Sequence, residues 1–158
     1  MGFFLWILAS ILTTFFNVIG FVFMVVESLL FFKWRSGAKK LNDYFYQIAL
    51  SKDQNSNVVL QNFFNKTMLK RKAYKFGDPD ETISFVFAVN KILGTLTLFG
   101  GFWALFLDLF ERSKGGHLYH TLFMKLKSMK EEAEKFDVEF YMTMEEFKNS
   151  LVRNFYEE

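Results

Sequence analysis

Cysteine is absent from the 158-residue chain, proline occurs once and histidine twice. Without thiols there are no disulfide staples and no thiolate metal sites, and cysteine usage leaves the redox compartment undetermined. No phosphate loop, no nucleotide-binding glycine pattern and no His-x-x-x-His pair occurs, which counts against soluble enzyme classes. Charge is missing as well from Gly2 to Val26, and the apolar run resumes beyond Glu27 as far as Phe32. About 20 apolar helical residues cover a hydrocarbon layer of roughly 30 Å. Residues 1–32 are therefore expected to form a transmembrane helix. The run exceeds the roughly 7–15 apolar residues of a signal-peptide core and lacks a basic start, so an uncleaved anchor is the expectation.

What the segment does contain is ordered. Ser10, Thr13, Asn17, Gly20 and Glu27 follow at steps of three, four, three and seven, one stripe on a 3.6-residue helix. Small residues let backbones approach and polar ones bond across membrane helices, so Ser10, Asn17, Gly20 and Glu27 read as a packing seam. The hydroxyls have the alternative of bonding their own backbone carbonyls. Beyond the seam, Lys33, Arg35, Lys39 and Lys40 surround Trp34, as at a helix end in the headgroups. By the positive-inside rule this side is cytoplasmic and the N-terminus outside.

Residues 33–76 then form a basic, aromatic-rich cytoplasmic or interfacial helical loop. Between Lys33 and Thr82 ten Lys/Arg stand against five Asp/Glu, a net of +5. Two short amphipathic helices are expected, separated by a turn at SKDQNSN, residues 51–57. Together with Lys70, Arg71 and Lys72, the basic residues suit anionic lipid headgroups, with nucleic acid as the competing partner.

The string Gly77-Asp78-Pro79-Asp80-Glu81-Thr82-Ile83-Ser84 holds the only proline. Asp78 as N-cap, Pro79 at the first helical position and Glu81 at the capping-box position predict the start of a long helix within 77–112. Its uncharged portion, Ile92 to Leu107, is extended by Ile83 to Val89 with Lys91 snorkelling, so a second transmembrane span is expected. Gly100 and Ala104 are a small-xxx-small pair, and depth matching in an antiparallel hairpin sets Glu27 against Lys91, within one chain or between neighbours. Residues 113–158 read as an acidic amphipathic helical tail. It opens with a break at SKGGH and continues as a helix with Leu118, Leu122, Phe123, Leu126, Met129, Ala133 and Phe136 on one face. A last helix, opened by Thr143 and Glu146, carries Met144, Phe147, Leu151 and Phe155. Two spans place this tail outside; one span keeps it inside. The expected fold class is all-α, a two-span transmembrane hairpin with short interfacial helices and a C-terminal helical tail.

Asp53-Gln54, the octapeptide at 77–84, Gly94, Asp108-Leu109-Phe110 and His117 occur in that order over residues 53–120. This order resembles a group of short phage- and prophage-encoded proteins of unassigned function. They share a D-Q pair, a G-[DH]-P-D-E-T-[IL]-S string, a glycine about ten residues on, an I-D-x-L-F-like segment and a histidine usually followed by cysteine. Leu118 stands where cysteine is usual, so a thiol-dependent role is not carried over. The resemblance implies a viral origin rather than an activity.

The expected function is that of a phage-encoded integral membrane protein with a structural role in a virion, envelope or host inner membrane. Its partners would be lipid, capsid or neighbouring membrane proteins and further copies of itself, with no cofactor. A holin-like or accessory lysis protein is the alternative. A membrane-bound metal-dependent enzyme is the third reading, and Asp78, Asp80, Glu81, Asp108, His117 and His120 are the residues that could bind a divalent cation or move a proton. A straight helix would hold Asp78 and Asp108 about 45 Å apart. Capping accounts for Asp78, Asp80 and Glu81, so no catalytic or metal site is assigned.

Overall fold

The computed structural model describes residues 2–30, 34–109, 116–135 and 139–157. Seven α-helices and no strand occur among the described residues: α1 (Gly2–Leu30), α2 (Trp34–Val59), α3 (Gln61–Thr67), α4 (Ile83–Leu93), α5 (Leu98–Leu109), α6 (Gly116–Lys135) and α7 (Met144–Glu157). The chain divides into two compact units, Met1–Ala49 and Leu50–Glu158.

In the first unit, the stretch Gly2–Glu27 of α1 is long and apolar enough to cross a membrane, and none of it is buried inside the protein. Gly20 is where α2 comes alongside: the Tyr44 hydroxyl lies 3.1 Å from the position a Cβ would take, and the Phe21 and Phe45 rings meet at 6.2 Å. Ser10 donates to the Trp6 carbonyl (2.7 Å) and Thr14 to that of Ser10 (2.8 Å), so these hydroxyls are satisfied within their own helix. Asn17 and Glu27 face outward, and Lys39 and Lys40 are exposed. Lys33, the side chain of Arg35, residues 110–115 and Phe136 lie outside the described residues.

The turn expected at 51–57 is helix, because α2 runs through it to Val59. Serine, aspartate and asparagine favour turns by bonding their own backbone. Here Asp53, Gln54 and Asn57 bond residues 77–84 instead, which removes that competition.

The second unit is built around α4, whose residues Ser84 to Asn90 and Leu93 are buried. It packs against α5, α6 and α7. The Phe64, Phe76 and Phe87 rings fill one side, with centroids 5.0 Å and 5.3 Å apart along the series. The opposite helices contribute Leu118, Leu122, Leu126 and Phe147. Phe123, expected on the same face as these leucines, is exposed. Thr143 and Glu146 open α7 reciprocally: Thr143 N donates to Glu146 Oε2 (2.8 Å) and Glu146 N to Thr143 Oγ1 (3.2 Å).

The single long helix expected within 77–112 does not form. Its start is Thr82, whose Oγ1 accepts from Phe85 N, and not Asp78. Asp78, Pro79 and Glu81 belong to the preceding turn, in which Asp80 N donates to Asp78 Oδ1 and Glu81 N to Asp78 O. At the other end Gly94 adopts the left-handed conformation at φ 65° and stops α4. Lys70 N then donates to Thr95 O and Thr97 N to Met68 O, an antiparallel pairing with Leu69 opposite Leu96 that holds the chain extended. The helix resumes as α5, with Thr97 Oγ1 accepting from Gly100 N. With 11 and 12 residues, α4 and α5 measure about 17 and 18 Å, well short of a roughly 30 Å hydrocarbon layer.

Two contacts follow from this break. The partner of Lys91 is Asp108 at 2.5 Å, because the Gly94 turn brings α5 back along α4. Gly100 and Ala104 are buried inside this unit, and a Cβ on Gly100 would sit 2.2 Å from the Met68 carbonyl oxygen. Because that neighbour is backbone, Gly100→Ala should destabilise the unit by about 1–3 kcal/mol, measured by denaturant unfolding of the detergent-solubilised chain.

Candidate functional site

The polar residues of the second unit collect around residues 74–82, an irregular segment lying against buried apolar side chains. Its backbone has no ladder to join, so side chains must supply the hydrogen bonds. Asn57, fully buried on α2, accepts from Gly77 N (3.1 Å) and donates to Asp78 O (2.8 Å) and Glu81 O (2.9 Å). Asn65 on α3 exchanges two bonds with Phe76, both 2.9 Å. Asn90, fully buried on α4, accepts from Tyr74 N (3.0 Å) and Thr95 Oγ1 (2.6 Å) and donates to Tyr74 O (2.7 Å) and Val86 O (2.8 Å). Gln54 reaches Asp80 O at 3.4 Å, near the limit of a hydrogen bond.

At the start of α4 three chemically capable side chains converge. Asp53 Oδ1 accepts from Ile83 N (3.2 Å) and its Oδ2 from Ser84 Oγ (3.0 Å), so a carboxyl on α2 sits at the positive end of α4. His117 Nε2, on α6, lies 3.0 Å from the same Ser84 oxygen. With the Ser84 proton directed to Asp53, Nε2 must carry a hydrogen and donate. Burial raises the Asp53 carboxyl above its ordinary range, opposed by its bonds from Ser84 and Ile83 and by nearby His117. In the acyl-transfer triad the carboxylate orients the histidine. Here it meets the buried serine, and the arrangement ties α2, α4 and α6 together.

Glu81 lies on the other side of the segment. Tyr74 Oη donates to its Oε1 at 2.5 Å, and its Oε2 is buried without a hydrogen-bond partner among the described residues. Burial raises this carboxyl, the Asp78 carboxylate adds to the rise, and the Tyr74 bond and Lys125 oppose it. The Tyr74 phenol is raised too, by burial first and by Glu81 and Asp78 after it.

Of the six residues that could serve metal or acid–base chemistry, the structure joins none to another in a ligand set. No group of three His, Asp or Glu suited to a metal occurs among the described residues. Asp78 and Asp80 share the turn before α4, while Asp108 Oδ1 accepts from Leu118 N (2.9 Å) at the start of α6 and its Oδ2 takes Lys91. His120 stands one turn beyond His117. Lys70 donates to Gly94 O at 2.7 Å, while Arg71 and Lys72 are exposed. The asparagines and Ser84 were missed in the sequence. A polar residue inside the apolar run ISFVFAVNKIL was the available sign for Asn90.

Two outcomes are expected. Asn57→Ala leaves Gly77 N–H and the Glu81 carbonyl without a protein partner, removes one of the two bonds to Asp78 O and should cost about 2–3 kcal/mol or more, whereas Gln54→Ala should change unfolding free energy by about 0.5 kcal/mol or less. The second concerns pH. A carboxyl raised in the folded state is protonated more readily there than in the unfolded chain. Its stabilising contribution is complete below the unfolded value, roughly pH 4, and fades as pH rises through the folded value. Glu146 is lowered by its bonds from Thr143 and acts in the opposite direction. In a Glu146→Gln background, the thermal midpoint should therefore rise from neutral pH toward pH 5. Asp53→Asn should reduce that rise, since an amide preserves the bond from Ile83 N while Ser84 turns its hydrogen to His117.

Compared with known proteins, the chain matches no protein-family model, no curated protein sequence and no solved structure.

Proposed function

We propose that the chain is a phage-encoded integral membrane protein with a structural role, a component of a virion or envelope membrane that contacts capsid or neighbouring membrane proteins. The observation carrying this reading is α1: from Gly2 to Glu27 it is apolar on nearly every face and buries none of itself in the protein. Apolar surface on that scale needs lipid or another chain. A single crossing is adopted here, since α4 is internal to the second unit and α5 is too short to cross. The basic loop then places residues 33–158 in the cytoplasm or its viral equivalent.

Outward-facing Asn17 and Glu27 favour association with another membrane helix, because a polar side chain in hydrocarbon gains from a bonding partner. The phage context rests on the resemblance of residues 53–120. No catalysis is assigned; Asn57, Asn65, Asn90 and Asp53 hold backbone and a helix end. A lysis protein would use the same anchor and associations, and collapse of the host membrane potential on expression separates it from a scaffold.

Replacing Leu12 and Phe16 together by arginine tests the anchor. Each charge near the middle of the span opposes insertion by about 2.5–3.5 kcal/mol. The wild-type chain should stay with membranes through alkaline carbonate extraction, and the double variant should appear in the soluble or aggregated fraction. Recovery of the wild type in purified, nuclease-treated virions would support the structural role.

A further inference from the structure

The apolar surface of α5 is arranged the reverse of an ordinary amphipathic helix in a soluble core. Its small residues Gly100 and Ala104 face the protein beside half-buried Leu107, and its other large residues face out. At 100° per residue, Leu98, Phe99, Phe102, Leu105, Phe106 and Leu109 fall within an arc of roughly 120°, with Trp103 at its edge. Leu98 is 97% exposed, Leu109 81% and Leu105 64%. On a helix of 12 residues this is a continuous apolar face, exposed within the second unit at Leu98, Phe102, Leu105 and Leu109.

Cations border the face. An open groove of about 630 Å³ is lined by Lys70 and Lys91 together with Leu98, Phe102 and Leu105. Lys70 is held there by its bond to Gly94 O, with exposed Arg71 and Lys72 following it in the chain. The one acid of α5, Asp108, has its oxygens engaged by Lys91 and Leu118 N.

We infer that α5 is an in-plane membrane-docking helix, its Leu/Phe face lying among acyl chains at the headgroup boundary and Lys70, Arg71 and Lys72 meeting anionic headgroups. An apolar face bordered by cations is the composition of interfacial helices, which lie along the boundary rather than cross it. A second copy is the weaker occupant. Isologous pairing would bring the lysines of one groove toward those of the other. The inference rests on the reading of α1 as an anchor, which keeps residues 50–158 within reach of a bilayer.

Trp103 makes this testable in the full chain. A variant with Trp6→Phe and Trp34→Phe leaves Trp103 as the only indole, and a variant with Trp34→Phe and Trp103→Phe leaves Trp6 on α1. Both are reconstituted into vesicles containing anionic lipid, with bromine placed either high or low on the acyl chain. Trp103 emission is expected to be blue-shifted and quenched most by the shallow bromine. Reversing Arg71 and Lys72 to glutamate should reduce that quenching in anionic vesicles and leave it unchanged in zwitterionic ones. Strongest quenching by the deep bromine would overturn the inference by making α5 a span. An unquenched Trp103 beside a quenched Trp6 would overturn it alone, placing a protein on the face. If neither indole is quenched, the anchor reading fails with it.

Discussion

Backbone groups in residues 68–82 have to be satisfied against an apolar core, and the arrangement of the second unit follows from that need. An asparagine amide offers one acceptor and two donors on a short stem, so it can stand in for a neighbouring peptide group. Asn57, Asn65 and Asn90 each do so from a different helix, and the first and last are completely buried. An unpaired buried donor or acceptor costs about 1–3 kcal/mol, so each amide protects more than its own polar atoms. The apolar residues around them, Val86 and Val89 beside Asn90 and Phe64 beside Asn65, pack closely because the polar groups between them are paired.

Helix starts obey the same requirement at longer range. Thr82 caps α4 locally, and Asp53 from α2 adds a carboxyl to the same end. Asp108 from the end of α5 serves α6 through Leu118 N. Such contacts need room, and glycine provides it. At Gly116 a Cβ would lie 2.6 Å from Asp108 Oδ1, and the backbone there has a positive φ of 83°. At Gly77, φ 130°, the obstructing atom would be Gln61 Oε1 at 2.6 Å. Both glycines permit a turn and a close approach at once.

Elements whose signals are local could be read from the sequence. The capping box of Thr143 and Glu146, the Leu118, Leu122 and Leu126 face of α6, and the uncharged length of α1 depend on neighbours three or four residues away. The helix start at 77–84 was misplaced by four residues because Asp78 and Pro79 are good local signals. The contacts that decide the matter come from Asn57 and Asp53, more than twenty residues earlier. SKDQNSN likewise looked like a turn, since the partners that keep it helical are distant in sequence. Gly94 was read inside a continuous helix, because the pairing of Leu69 with Leu96 that uses the break there joins residues far apart in sequence.

That break changes the meaning of the apolar composition between residues 83 and 109. Read as one helix, the segment has the length and character of a span. Interrupted at Gly94, it becomes two short helices that lose their exposure to water in different ways. α4 turns nearly all its surface inward and tolerates Asn90 because Tyr74, Thr95 and Val86 satisfy the amide. α5 places Gly100 and Ala104 inward with Leu107 half-buried beside them, since the Met68 backbone lies too near for anything larger at Gly100. Its other leucines and its phenylalanines are therefore displaced outward by the same contact that seats the helix. Hydropathy alone cannot distinguish these outcomes, because the deciding quantity is the distance between Gly100 and a carbonyl thirty-two residues earlier.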